Sequence, residues 1–318
     1  MNKRQKIFVT TVAIIILALL FIPTLLSPQM KTESNKLKIV ATFYPLAFFA
    51  NQIGGNEVTI KQLIPDNMEV HNWQPSLADI LALEEADVII YNGASLDHWF
   101  KEDVLPILDL TNKIIVETIN ENEILKTEQE NNGYEHDQEH KGFCDPHTWI
   151  SPFLAKLQSQ NIYEALIKKD ENNRSYYTKR WKNLNVRFEQ LDRNYFNTLS
   201  NKLKKKIFVA HSAFGYLAGR YGFEQHGVIG LAADEQPSAS TYTDLVEKMI
   251  DHQTYVIYVN PVYPHETTRT LKNELERLSG QDVDILKLYF MLGDIEGLDY
   301  FGQQEKNLES LKIGLEAQ

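Results

Sequence analysis

Three histidines, far apart in the chain, stand in short motifs suited to metal chemistry. His71 lies in Glu69-Val70-His71-Asn72-Trp73-Gln74-Pro75-Ser76, His147 in Asp145-Pro146-His147-Thr148-Trp149, and His211 in Val209-Ala210-His211-Ser212-Ala213-Phe214-Gly215-Tyr216. Neutral imidazole is the commonest protein ligand of transition metals, and three converging rings make the nitrogen-rich set that zinc favours. A lone histidine is otherwise a hydrogen-bonded or surface residue. The chemistry therefore depends on whether the fold brings these three together.

The elements that must position them follow an alternating pattern. Apolar, β-branched runs at 39–43, 58–64, 87–91 and 113–116 predict strands, with helices at 46–53, 76–85 and around 99–107 between them. A helix is predicted over 152–169, then a longer one over roughly 172–203 without internal Gly or Pro. Along it Trp181, Leu184, Val186, Phe188, Leu191, Tyr195 and Leu199 recur at about helical spacing. Strands at 206–210, 223–229, 255–259 and 284–290 then alternate with helices at 213–221, 241–252, 266–279 and 298–314. Such alternation implies parallel sheets covered on both faces, here as two similar lobes joined by one long helix. Ligands of open α/β sheets bind beyond the carboxyl ends of the strands, and the three histidines stand near such ends or at a helix start.

The chain has 318 residues, 43% hydrophobic and 24% charged, which is enough for two lobes with their own cores. A formal net charge of −11 argues against nucleic acid and mildly favours cations. Lys3, Arg4 and Lys6 precede an apolar run over 7–26, long enough to cross a bilayer. Residues 1–30 are read as an export signal or an uncleaved membrane anchor, and 31–37 as a polar tether. The chain divides further into a first lobe over 38–170, a linking helix over 171–203 and a second lobe over 204–318. Cys144 is the only cysteine, so no internal disulfide can form. An acidic loop over about 121–142 carries His136 and His140.

From about Lys38 to the carboxyl terminus the chain resembles the metal-binding solute-binding proteins of zinc and manganese ABC transporters, and within them the zinc type. The motifs already quoted carry the resemblance, together with Ala41-Thr42-Phe43-Tyr44-Pro45-Leu46 and Asn92-Gly93-Ala94-Ser95-Leu96-Asp97-His98-Trp99. It implies two four-stranded α/β lobes bridged by a rigid helix, with metal held between them by His71, His147 and His211. Three nitrogens suit Zn2+. Mn2+, the runner-up, goes with a carboxylate where His211 stands. Glu296 and Asp294 are the candidates for a fourth ligand, with water or an ordinary solvent-exposed turn as alternatives. Tyr44, Trp73 and Trp149 are expected to pack around the cleft, with general core packing the alternative for Trp149. His136 and His140 match a shortened histidine-rich loop that would pre-concentrate zinc, or an ordinary solvated loop.

By that resemblance the protein is an extracytoplasmic monomer, not an enzyme, that passes zinc to an ABC permease and its ATPase. An adhesin-like surface protein shares the fold. A zinc hydrolase would use the same ligands, but the chain lacks His-Glu-x-x-His, and Glu69 is the nearest carboxylate that could act as a base. Because ligation needs neutral imidazole, affinity is expected to fall as pH drops through about 6.5.

Overall fold

β-branched runs buried on both faces can only be satisfied inside a sheet, and both halves of the chain solve this in the same way. In the computed structural model, which describes residue 2 and residues 36–120, 145–230, 237–263 and 266–318, two four-stranded sheets are present. The first contains β1 (Leu37–Ala41), β2 (Val58–Gln62), β3 (Val88–Gly93) and β4 (Ile114–Ile119) in the order β2-β1-β3-β4. The second contains β5 (Lys206–His211), β6 (Glu224–Ile229), β7 (Val256–Val259) and β8 (Asp284–Lys287) in the order β6-β5-β7-β8. Every pairing between these strands is parallel. Strand order reverses between β1 and β3 and again between β5 and β7, leaving a crevice at each carboxyl edge. Residues 36–318 form one compact unit. Of residues 1–35 only Asn2 is described, so the basic and apolar amino-terminal segment lies outside the described residues, as do the 121–142 loop and Cys144. Among the described residues no helix is long and apolar enough to cross a membrane.

The helices flanking the first sheet are α1 (Tyr44–Gly54) and α2 (Leu77–Glu85), followed after β4 by α3 (Pro152–Lys169). Pro45 and Pro152 occupy the first turns of α1 and α3, where a missing N–H costs nothing. Ser76 and Asp79 form a reciprocal capping box that fixes the start of α2. The long helix α4 (Arg174–Leu199) has 26 residues, about 39 Å at 1.5 Å per residue. That is shorter than the predicted span, because 171–173 form a 3₁₀ turn capped by Asp170. The second sheet carries α5 (Gly215–Tyr221), α6 (Ala239–Asp251), α7 (Glu266–Ser279) and α8 (Tyr300–Gly314).

One stripe of α4 is buried: Tyr177, Leu184, Phe188, Leu191, Tyr195 and Leu199. Val186, placed on this stripe by spacing, is 57% exposed, because two residues turn it about 200° from Leu184. Phe188 packs against Phe49 of α1 and against Tyr300 and Phe301 of α8, with ring centroids 5.5, 6.0 and 5.0 Å away. The Tyr195 hydroxyl donates to the Gln304 carbonyl at 2.7 Å. The long helix thus packs on both lobes along its length rather than only linking them. The predicted helix around 99–107 is instead a π-type turn (Phe100–Val104) followed by a 3₁₀ turn (Leu105–Ile107), with Pro106 in the latter. β8 ends at Lys287, so Leu288–Leu292 run on as buried, non-strand chain.

Because Phe188 is fully buried in an aromatic cluster, Phe188→Ala should lower stability by about 3–5 kcal/mol, while Val186→Ala should stay within about 0.5 kcal/mol. Urea unfolding monitored by circular dichroism measures both; equal losses would contradict the assigned face of α4.

Candidate metal site

His71 lies on the connection between β2 and α2. Its backbone is shaped by Glu69, whose Oε1 accepts from the amides of Val70 and His71 at 2.9 and 3.0 Å, and by the burial of Val70. The same connection is tied to the second lobe. Asn67 N donates to the Leu292 carbonyl at 2.8 Å, and Asn67 Nδ2 to the Asp294 carbonyl at 3.3 Å.

His147 precedes a 3₁₀ turn (Thr148–Ile150) that leads into α3. Its Nδ1 lies 2.8 Å from Asp145 Oδ1, which also accepts from the His147 amide at 2.9 Å. A carboxylate only accepts, so Nδ1 carries the proton and Nε2 keeps its lone pair. Asn92 Nδ2 donates to the Pro146 carbonyl at 3.0 Å, and Gln158 Nε2 to Asn92 Oδ1 at 2.9 Å. Asn92 is itself set by a tight turn in which Gly93, Ala94 and Ser95 all take positive φ, held by the fully buried Asp97. Asp97 accepts from Asn92 N, Gly93 N and Thr42 Oγ1 at 2.7, 3.0 and 2.9 Å. Burial pushes its carboxyl above the usual range against these hydrogen bonds. A side chain on Gly93 would run into the Ile119 carbonyl. The Asn92-Gly93 motif is therefore a support for His147.

His211 is the last residue of β5, not the residue after it, and pairs with Ile229 of β6. It is 5% exposed, and its ring sits 5.6 Å from that of Phe290. His211 Nδ1 is buried and has no hydrogen-bond partner among the described residues. Burial, with His147 and His71 alongside, holds its pKa well below the ordinary histidine value.

The three rings meet at their Nε2 atoms. His71 and His211 Nε2 lie 3.3 and 3.2 Å from His147 Nε2, and the ligand atoms of all three are within 4.8 Å of one another. Two nitrogens bound to tetrahedral zinc at 2.0–2.1 Å would be about 3.3 Å apart. Both separations from His147 thus match those a tetrahedral ion needs. His147 and His211 are buried, and the site opens past the His71 side chain, which is 15% exposed.

The candidates for a fourth ligand are engaged elsewhere. Glu296 is exposed and paired with Lys287 and with the Tyr289 hydroxyl. The Asp294 carboxylate accepts from the Tyr44 hydroxyl. Neither joins the histidine cluster. The carboxylate that does come close is Glu69, with Oε1 3.9 Å from His71 Nε2. Sequence spacing put it two residues from His71, and only the turn it makes around its own amides brings it back to the ring. Tyr44 therefore serves the contact with Asp294. Trp73 packs on Trp99, ring centroids 5.0 Å apart. Trp149 is the aromatic neighbour of the site, 5.4 Å from the His147 ring, with Nε1 donating to the Phe290 carbonyl at 2.7 Å. His136 and His140 lie outside the described residues.

The buried state of His211 has a measurable sign. Unfolded, it takes up a proton near about pH 6.5; folded, it resists protonation. The unfolded chain therefore binds more protons below that value, and stability is lost as pH falls beneath it. The metal-free protein should show a lower urea midpoint at pH 5.5 than at 7.5, and His211→Gln should shrink that difference. An unchanged difference in the variant would contradict the assignment.

Known proteins resemble this chain in sequence and in fold. The family profile described as ZnuA, zinc-uptake complex component A, periplasmic, matches residues 39–314. The high-affinity zinc uptake system protein ZnuA of Bacillus subtilis is 31% identical over 293 residues, covering 89% of each chain. The zinc-binding lipoprotein AdcA of Streptococcus pneumoniae is 29% identical over 292 residues, which are 89% of this chain but only 57% of AdcA. The crystal structure of the Zn(II)-bound ZnuA-like domain of that AdcA is 26% identical, with a TM-score of 0.71 over 88% of this chain and 99% of the domain. A periplasmic zinc-uptake profile matched along nearly the whole described chain, together with the two-sheet fold, places this protein in the ZnuA family.

Proposed function

We propose that the protein captures zinc between its two lobes with His71, His147 and His211 and delivers it to an ABC permease driven by its ATPase. One observation carries this reading: three imidazoles converge, with His147 Nε2 within 3.3 Å of the other two Nε2 atoms as around a tetrahedral zinc ion, and two of the rings are buried. The fourth position falls to water or to a nearby carboxylate such as Glu69, whose Oε1 lies 3.9 Å from His71 Nε2. Three imidazoles favour zinc over manganese, whose harder ion prefers oxygen. Zinc is cargo here and not a catalyst. Glu69, the carboxylate at the site, already has Oε1 committed to two backbone amides and is poorly placed to activate water. Residues 1–30 would export the chain and can hold it at the outer face of the membrane, with the polar residues that follow as a tether that stops short of Leu37, the first residue of β1. Release would come from shifts of the ligand-bearing connections, because α4 packs along both lobes.

Isothermal titration of the metal-free protein at pH 7.5 should show one zinc per chain. His211→Ala should weaken binding by more than about 100-fold, since a lost ligand costs more than a lost ligand-supporting group. Manganese in tenfold excess should leave the zinc in place. An unchanged dissociation constant in His211→Ala would overturn the ligand set, and displacement by manganese would overturn the choice of metal.

A further inference from the structure

Asp145 does more than face His147. Its Oδ1 holds the ring, while its Oδ2 lies against the first residue of α5 in the second lobe: a methyl group added to Gly215 would fall 2.6 Å from that oxygen. Its backbone carbonyl accepts from the Tyr216 hydroxyl at 2.7 Å in a buried contact. The Tyr216 ring is packed with Ala94, Ile119 and Leu154, all residues of the first lobe. One turn further along α5, Arg220 forms a bidentate pair with Asp192 of α4 at 2.6 and 2.7 Å and lies 4.1 Å over the Phe153 ring at the start of α3. α5 begins four residues after His211, and α3 begins five residues after His147. The two ligand-bearing segments are thus joined through α5, and Asp145 is the group in direct contact with both a ligand ring and that helix.

We propose that Asp145, wedged between the His147 ring and Gly215, is a positioning residue that makes the metal-binding tautomer and aim of His147 depend on where α5 sits. The step rests on the zinc reading above but concerns the imidazole itself. With Oδ1 in place, the ring proton stays on Nδ1 and the Nε2 lone pair points at the site. When α5 shifts, it drags the Tyr216 hydroxyl from the Asp145 carbonyl and opens or closes the space over Gly215, so the carboxylate and the ring move together. Any partner that displaces α5 would therefore loosen His147 and His211 at once, without touching either ring. Glycine at 215 is what permits the close approach.

The test uses the full chain labelled with ¹⁵N-histidine. In the metal-free protein, ¹⁵N shifts should report His147 as the Nδ1–H tautomer. Asp145→Ala should convert it to a mixture and weaken zinc binding by about 10- to 100-fold, the usual cost of losing a ligand-orienting partner. Asp145→Asn, which keeps an acceptor oxygen, should restore most of both. Gly215→Ala and Tyr216→Phe touch no ligand, yet should shift the His147 resonances, weaken zinc binding and alter the d–d bands of the Co2+-loaded protein. Wild-type tautomer and affinity in Asp145→Ala would overturn the role of Asp145. Wild-type behaviour of both Gly215→Ala and Tyr216→Phe would overturn the coupling to α5. If Gly215→Ala fails to fold, Tyr216→Phe decides. A wild-type chain that binds no zinc would defeat the functional reading alone, because the tautomer is read without metal.

Discussion

The structure depends on one short segment, residues 145–151, being shared between the two lobes. It is buried and only partly satisfies its own backbone: amides within it serve the carbonyls of Pro146, His147 and Thr148, while other carbonyls find donors elsewhere. Asn92 of the first lobe takes the carbonyl of Pro146. Tyr216, Tyr300 and Gln304, all beyond the long helix, take those of Asp145, Trp149 and Ile150. Each such carbonyl left unpaired in the interior would cost about 1–3 kcal/mol, so the segment cannot leave either lobe cheaply. His147 sits in the middle of it. Its position relative to His71 and His211 is consequently fixed by hydrogen bonds that involve none of the three rings.

This arrangement pre-forms a nitrogen cluster at some expense. The imidazoles are largely withdrawn from water, the protonated form of His211 is disfavoured, and its Nδ1 is left without a partner among the described residues. Buried polar atoms of this kind persist where function retains them. A cluster already set at ligand spacing spends little of its metal affinity on ordering side chains. The contacts of Asn67 with the 292–294 stretch do for His71 what Tyr216 and Tyr300 do for His147: they tie a ligand-bearing connection to the opposite lobe, and Tyr44 of α1 adds a further tie to Asp294. Asp294 enters that closure through its contacts with Asn67 and the Tyr44 hydroxyl.

Much of the fold was legible before any coordinates. Apolar β-branched runs separated by helical stretches have few solutions other than parallel α/β sheets, and all eight strands appear within a few residues of their predicted places. The failures have specific causes. The stretch around 99–107 has helical composition, but Pro106 and the strained turn before it leave only π and 3₁₀ turns. Val186 has the hydrophobicity of a core residue, yet the helix phase set by Leu184, Phe188 and Leu191 turns it outward. The last strand was expected to run to 290 but ends at Lys287, and beyond it Asp294 and Glu296 have Tyr44 and Lys287 as partners. Glu69 and Asp145 were in view as neighbours of histidines, without a sign of what their side chains face.

The residue types determined by themselves the alternating architecture, the preference for a nitrogen-binding metal and the three positions that could supply it. These are local properties: periodicity, branching and the chemistry of imidazole. Tertiary structure alone decided that the Nε2 atoms of His71 and His211 come within 3.3 Å of His147 Nε2, the separation found around tetrahedral zinc. It also decided that His147 is aimed by Asp145, and that His211 stays neutral further into acid than a free histidine. Those outcomes depend on which buried carbonyls and carboxylates share a donor across residues far apart in sequence, and no pattern along the chain encodes a distance.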